Sequence, residues 1–161
     1  MKLTYREIEP TDNPTLEKII KTVMTEFGAV GQGYSIEDAE VLAMYDAYAN
    51  PQSSYYVVEA DGEVCGGGGI GPLVGGGAEV CELKKMYFYD KIRGHGAGKI
   101  LMEILLDEAV KLGYKSCYIE TVERMTQANH LYQKYGFVKE DSPIGSTGHG
   151  GCDTYYVKDL G

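Results

Sequence analysis

Apolar residues recur at helical spacing in two long stretches of the chain. Leu16, Ile19, Ile20, Val23, Met24 and Phe27 form one stripe, with Asp12 or Asn13 as its cap, Pro14 at the first helical position and Gly28 closing it. Ala97, Ile100, Leu101, Ile104, Leu105 and Leu112 form the other, which Gly113 stops. Two further helices are expected. One covers residues 35–49, where Ser35 and Asp38 make a near capping box and Asn50-Pro51 ends the run; the other covers 124–135 and stops at Gly136. Elsewhere the pattern shortens to alternation or brief apolar runs at 2–8, 54–60, 63–71, 81–89, 115–122, 137–140 and 152–158, which predict strands. Asp61-Gly62 is a strong hairpin signal between the second and third of these.

The resulting order, β-α-α-β-β-β-α-β-α-β-β, contains no repeat and no low-complexity tail, and 161 residues predict a single domain over 1–161. A chain of this length buries about two-thirds of the surface it exposes unfolded, so it needs no disulfide staple. Composition adds little: 43% apolar and 24% charged residues are those of an ordinary globular chain. The first thirty residues lack the basic start and apolar core of a signal peptide, and no apolar run approaches the ~18 residues of a membrane span. A cytoplasmic protein with no membrane partner is expected. Cys65, Cys81, Cys117 and Cys152 are scattered, with no C-x-x-C pair, and read as reduced core cysteines, with no metal expected. A net charge of -9 argues against a nucleic-acid partner and favours a cationic substrate.

Candidate chemistry sits where strand 81–89 passes through the glycine turn RGHGAG, residues 93–98, into the second amphipathic helix. Glycines let backbone approach a ligand closely, and the first turn of a helix offers free N–H groups and a positive dipole end. That combination binds phosphate. The Walker pattern fails, because it needs glycine at Arg93 and Ser or Thr at Ile100; the dinucleotide pattern starting at Gly94 needs glycine at Lys99. Gly66, Gly68 and Gly71 also satisfy G-x-G-x-x-G, but Pro72 follows where a helix must open, so these read as strand glycines against which something packs closely. What remains is Arg93-x-x-Gly96-x-Gly98 followed downstream by AxxLYxxxGF, here Ala128, Leu131, Tyr132, Gly136 and Phe137.

These two motifs at this spacing, in this element order, resemble the GNAT superfamily of N-acetyltransferases. The likeness runs through the whole chain in element order, and from about residue 79 to residue 138 in sequence motif. It implies an α/β (α+β) single-domain fold with a mixed, mostly antiparallel sheet of about seven strands, helices on both faces and a splayed central strand pair. It implies acetyl-CoA as cosubstrate, with no metal. By position, Met86, Tyr87 and Phe88 would offer backbone to the pantetheine arm, and the N–H groups of Arg93, Gly94, His95, Gly96, Ala97, Gly98 and Lys99 would hold the pyrophosphate. The Arg93 and Lys99 side chains add charge there or, on the other reading of Lys99, stay solvated. Many relatives carry a cofactor-contacting Asn where Met125 stands here, and Asn129, nearby in a different register, is carried over in its place.

Acetyl transfer to an amine requires a proton taken from the ammonium, a polarised thioester carbonyl and a protonated leaving thiolate. The resemblance makes Tyr132 the acid for the sulfur; the alternative is a tyrosine packed in the core. Glu82, four residues before Met86, stands where histone-type members keep a basic carboxylate, and strand alternation puts it on one face with Lys84 and Met86 unless a bulge intervenes. Its alternative is a pair with Lys84 or Lys85. Glu120 is a second candidate base. The variable parts, the loop 28–34, the second helix with Asp38, Glu40, Tyr45 and Asp46, and the late loop with His149, are expected to recognise a small-molecule or peptide amine. His149 and Asp153 also match H-x-x-x-D, a signature of a larger acyltransferase class that this chain is too short to form; His149 reads as a loop residue or an acceptor contact. A monomer or homodimer is expected. Two rivals stand beside the enzyme: a non-catalytic acyl-CoA-binding sensor or partner module, and a nucleotide-binding α/β protein.

Overall fold

The computed structural model describes residues 1–161. Seven strands form one open sheet: β1 (Leu3–Glu7), β2 (Ser54–Ala60), β3 (Glu63–Pro72), β4 (Val80–Phe88), β5 (Ser116–Thr121), β6 (Val138–Glu140) and β7 (Thr154–Asp159). The order across the sheet is β1-β2-β3-β4-β5-β7-β6, and every neighbouring pair is antiparallel except β4 and β5. Four α-helices accompany it: α1 (Asn13–Glu26), α2 (Met44–Tyr48), α3 (Ala97–Lys111) and α4 (Thr126–Lys134). Helix α1 packs Leu16, Ile19, Ile20 and Val23 with Tyr55 and Val57 on one face of the sheet. Helix α3 packs Ala97, Leu101, Met102 and Leu105 with Val58, Leu83 and Met86 on the other. Adjacent Val57 and Val58 serve opposite cores, as strand alternation requires. The stripe of α3 is rotated from expectation: Met102 and Ala109 are buried, whereas Ile100 and Leu112 are exposed.

Residues 35–49 do not form one helix. They make two short 3-10 turns, Ser35–Glu37 and Ala39–Leu42, before α2, with Asp38 extended at φ -65, ψ 136. Ser35 makes no capping bond; its hydroxyl turns to the Tyr87 hydroxyl and the Met24 sulfur. The Asp38 and Glu40 side chains reach β4 instead, and a continuous helix could not present both there. At α1 the expected cap is likewise replaced: the Asp12 carboxylate accepts from Arg6 and the Glu9 N–H, and Asn13 accepts from the Tyr45 N–H.

Two distortions of the sheet make the site. First, β4 and β5 pair only over Val80–Glu82 and Ser116–Tyr118, after which β4 runs on to Phe88 against β3 alone. Second, the β3–β4 register jumps between Gly67↔Tyr87 and Gly69↔Lys84, so Lys85 and Met86 together oppose Gly68. This is a β-bulge, and Lys85 sits in the left-handed region at φ 55. The glycine run of β3 makes room for it. A Cβ on Gly67 would stand 2.7 Å from the Tyr55 ring and 2.8 Å from the Tyr56 carbonyl, and the Tyr55 hydroxyl crosses the run to donate to the Lys85 carbonyl at 2.8 Å. The glycines 66–69 are therefore packing glycines, with tyrosine, methionine and phenylalanine side chains filling the space they leave, while Gly71 makes room for Ser53.

Candidate active site

The turn into α3 is a cradle of unused donors. Gly94 and Gly96 adopt φ 81 and φ 83, and a Cβ on either would meet nothing within 4 Å, so both are glycine for conformation and face open space. The first bond of the helix runs from Ile100 N–H to the Gly96 carbonyl at 3.2 Å, and the N–H of Arg93 is already given to Asp90. The free donors thus begin at Gly94 and end at Lys99, at the positive end of a fifteen-residue helix. They floor a cleft of about 720 Å³ between the end of β4, the α3 turn and the start of α4.

All the residues expected to touch the cofactor line this cleft except His95 and Asn129. His95 points to solvent. Asn129 is buried and fully engaged: its amide donates to the carbonyls of Val122, Glu123 and Met125 and accepts from the Tyr156 hydroxyl, bonds that secure the first turn of α4. Arg93 lines the cleft with a guanidinium that is already committed. It donates twice to the Phe88 carbonyl, at 3.0 and 2.8 Å, pairs with Glu26 and stacks 5.4 Å from the Phe27 ring. It fastens the end of β4 to α1, leaves no Phe88 carbonyl for a pantetheine arm, and brings a charge that Glu26 neutralises. Lys99 is exposed at the rim and belongs to none of the chain's ion pairs.

Beside the cleft lies a cavity of about 40 Å³, room for roughly one or two water-sized groups. Tyr87 and Met125 line both spaces and mark where they meet. Glu82 lines the cavity at 5% exposure, and burial raises its pKa to about 6, against the lowering influence of Lys84, Lys85 and His149. It makes no ion pair. Lys84 turns to Glu40 at 3.4 Å, and Lys85, 1% exposed, turns to Asp38 at 2.8 Å and Glu40 at 3.1 Å. Burial opposes the Lys85 charge, but Glu40 and then Asp38 outweigh it and its pKa is raised. The bulge also separates Glu82 from Met86, which packs on the α3 face while Glu82, Lys84 and Lys85 face the cavity on the α1 side.

Glu120 enters from β5, accepting from the Tyr118 hydroxyl at 2.8 Å and the Thr147 hydroxyl at 2.5 Å. His149 closes the cavity by bonding Asp38. Asp153, its partner in the H-x-x-x-D spacing, instead accepts from the Glu123 N–H. Cys152 also lines the cavity, with burial and then Glu120 and Glu82 pushing its thiol up to about 12. Tyr132 lines neither space. Its ring lies behind the cleft wall, edge-on to Phe137 at 6.2 Å and Tyr156 at 5.7 Å, and burial keeps the phenol neutral. The sequence offered no sign of Lys85 as a site residue, because its inward turn depends on the bulge.

Residues 16–137 match the sequence model of the acetyltransferase (GNAT) family. The chain is 39% identical to the uncharacterized N-acetyltransferase YjgM of Escherichia coli (strain K12), over 96% of this chain and 93% of that one. Among solved structures, a GNAT-family acetyltransferase from Staphylococcus aureus Mu50 superposes with a TM-score of 0.85 at 17% identity, covering 99% of this chain and 100% of that one. YncA, a putative acetyltransferase from Salmonella typhimurium solved with its cofactor acetyl-CoA, gives 0.77 at 19% identity over 99% of this chain and 94% of that one. The chain therefore belongs to the GNAT family of N-acetyltransferases and is an acyltransferase.

Proposed function

We propose that the protein moves the acetyl group of acetyl-CoA to a primary amine by direct attack in a ternary complex. The observation that carries this reading is the junction at Tyr87 and Met125. On one side is a long cleft ending in free helix N–H groups; on the other is a small cavity holding a buried carboxylate with no partner in the protein.

The cleft fits coenzyme A: Gly94 and Gly96 open the turn to close approach, and the N–H groups from Gly94 to Lys99 would bind its pyrophosphate, with Lys99 and Arg124 as cations in no ion pair along its lining. Met86 and Tyr87 would lie beside the pantetheine arm along the unpaired edge of β4. The cosubstrate supplies an activated thioester. Glu82 then accepts a proton from the acceptor ammonium, directly or through one water, and its raised pKa matches it to neutral pH. Tyr132 has the neutral phenol for the acid's role, and serving the leaving sulfur requires its hydroxyl to turn from the core into the cleft. Isothermal calorimetry with acetyl-CoA, combined with free-thiol release against a panel of primary amines, tests the reading. Cofactor binding with no acceptor-dependent release would leave an acyl-CoA-binding module.

Two smaller expectations follow from these roles. Tyr132→Phe keeps its aromatic packing but loses the proton, so turnover should fall about 100-fold with coenzyme A affinity unchanged; steady-state rates beside calorimetry decide, and unchanged turnover removes Tyr132 as the acid. Cys152→Ala should retain turnover within about twofold. A thiol held up to about 12 is protonated at neutral pH and makes no acetyl-cysteine. A pre-steady-state burst of thiol that disappears in this variant would contradict direct transfer.

A further inference from the structure

His149 comes from the loop between β6 and β7 and ends beside groups from three other parts of the chain. Its side chain is 10% exposed. Nε2 lies 3.0 and 2.9 Å from the two carboxylate oxygens of Asp38, and Nδ1 faces Glu120 Oε1 at 3.7 Å. The His149 backbone N–H donates to the Thr147 hydroxyl, which in turn donates to Glu120. The 3.7 Å to Glu120 is beyond a hydrogen bond, so one N–H given to Asp38 satisfies the ring's bonding, and it is the attraction of two nearby carboxylates that favours the imidazolium. Around the ring stand Asp38 from the 3-10 segment, Lys85 and Glu82 from β4, Glu120 from β5, and Thr147 and Cys152 from its own loop. Glu40, beyond Asp38, is taken by Lys84 and Lys85.

We propose that His149 is a positioning residue for acetyl transfer: held as an imidazolium by Asp38 and facing Glu120, it closes the acceptor cavity and joins Lys84 and Lys85 in keeping Glu82 able to accept the acceptor's proton. The proposal rests on the functional reading above. The electrostatics agree with the geometry, since the bond to Asp38 outweighs burial and raises the His149 pKa, and His149 is among the cations that restrain the rise at Glu82. Lys84 and then Lys85 restrain it more strongly, Lys84 while paired with Glu40 and Lys85 while paired with Asp38 and Glu40, as His149 is with Asp38. Without the imidazolium, Glu82 faces Glu120 with less opposition and holds its proton to higher pH. The acceptor ammonium then meets a carboxylic acid.

The test pairs an NMR titration of the imidazoles with the pH dependence of kcat/KM for thiol release. The chain has three histidines, so His149 is assigned by the resonance that His149→Gln removes. In the wild type it should titrate above the ordinary ~6.5 of histidine. Titration at or below that value overturns the held imidazolium, and this measurement needs no variant to be active. His149→Gln keeps a donor for Asp38 without the charge. Its acid limb should move to higher pH, costing about tenfold in rate on the acid side for each unit of displacement, while rates converge at alkaline pH and coenzyme A affinity holds. A deficit equal at every pH, or an unmoved limb, would mean that His149 only holds the loop. A wild type that releases no thiol with any amine overturns the functional reading, and the titration still decides whether His149 is held as an imidazolium.

Discussion

Gly96→Glu abolishes coenzyme A binding and leaves the protein folded. Gly96 caps α3 at φ 83, ψ 7, where a side chain costs about 1–2 kcal/mol in backbone strain but meets no neighbour. A domain stable by about 5–15 kcal/mol absorbs that loss, and a carboxylate at a helix N-terminus recovers part of it by favourable interaction with the dipole. The same carboxylate occupies the donors meant for the pyrophosphate and repels its charge. Like charges brought together at a binding surface cost several kcal/mol, and each 1.4 kcal/mol is tenfold, so the dissociation constant should rise at least about 100-fold. Gly96→Asn separates charge from strain, because asparagine tolerates the left-handed conformation and is neutral; it should lose far less. Calorimetry with coenzyme A and a thermal melt check both variants. Retained affinity in Gly96→Glu would move the cofactor site elsewhere.

Glu82→Gln should lower kcat by about 10²–10⁴ without changing coenzyme A affinity. Glutamine fills the same volume and cannot accept a proton, and residue 82 lines the small cavity, not the cleft. In the wild type, kcat/KM should fall below about pH 6, where the buried carboxylate takes up its proton. Stability carries a separate signature. The folded chain holds this proton up to about 6 and the unfolded chain only to its ordinary 4.5, so Glu82 makes stability decline as pH rises through that window. The glutamine variant loses this dependence and is no less stable at neutral pH. A kcat equal to the wild type's would exclude Glu82 as the base. Glu120 would be a weaker substitute, since the Tyr118 and Thr147 hydroxyls already bond it.

The elements set by local chemistry were readable from the sequence. Strand β2 occupies the expected residues 54–60, Asp61 and Gly62 both take the positive φ that their hairpin signal demands, and RGHGAG leads into a helix with its donors free. The elements set by distant partners were not. Residues 35–49 carry a capping signal at Ser35 and a stop at Asn50-Pro51, but Asp38 and Glu40 are drawn to Lys84 and Lys85, and the segment breaks to deliver them. That attraction depends on a bulge accommodated by Gly67, Gly69 and the Tyr55 ring, none of which strand alternation reveals. Arg93 and Asn129 have the right chemistry for a cofactor, yet their side chains spend it on Phe88 and Glu26 and on the start of α4. His149 and Asp38 meet across 111 residues, a contact for which the spacing gives no cue.

In the proposed reaction the cleft and the small cavity together carry one acetyl transfer. Free-thiol release from acetyl-CoA by the wild-type protein at neutral pH, followed against single primary amines with the amine analysed by mass spectrometry, tests it most directly. Saturable, amine-dependent release matched mole for mole by acetylated amine is expected, with its near loss in Glu82→Gln. Tight acetyl-CoA binding with release that no amine accelerates would contradict the proposed reaction.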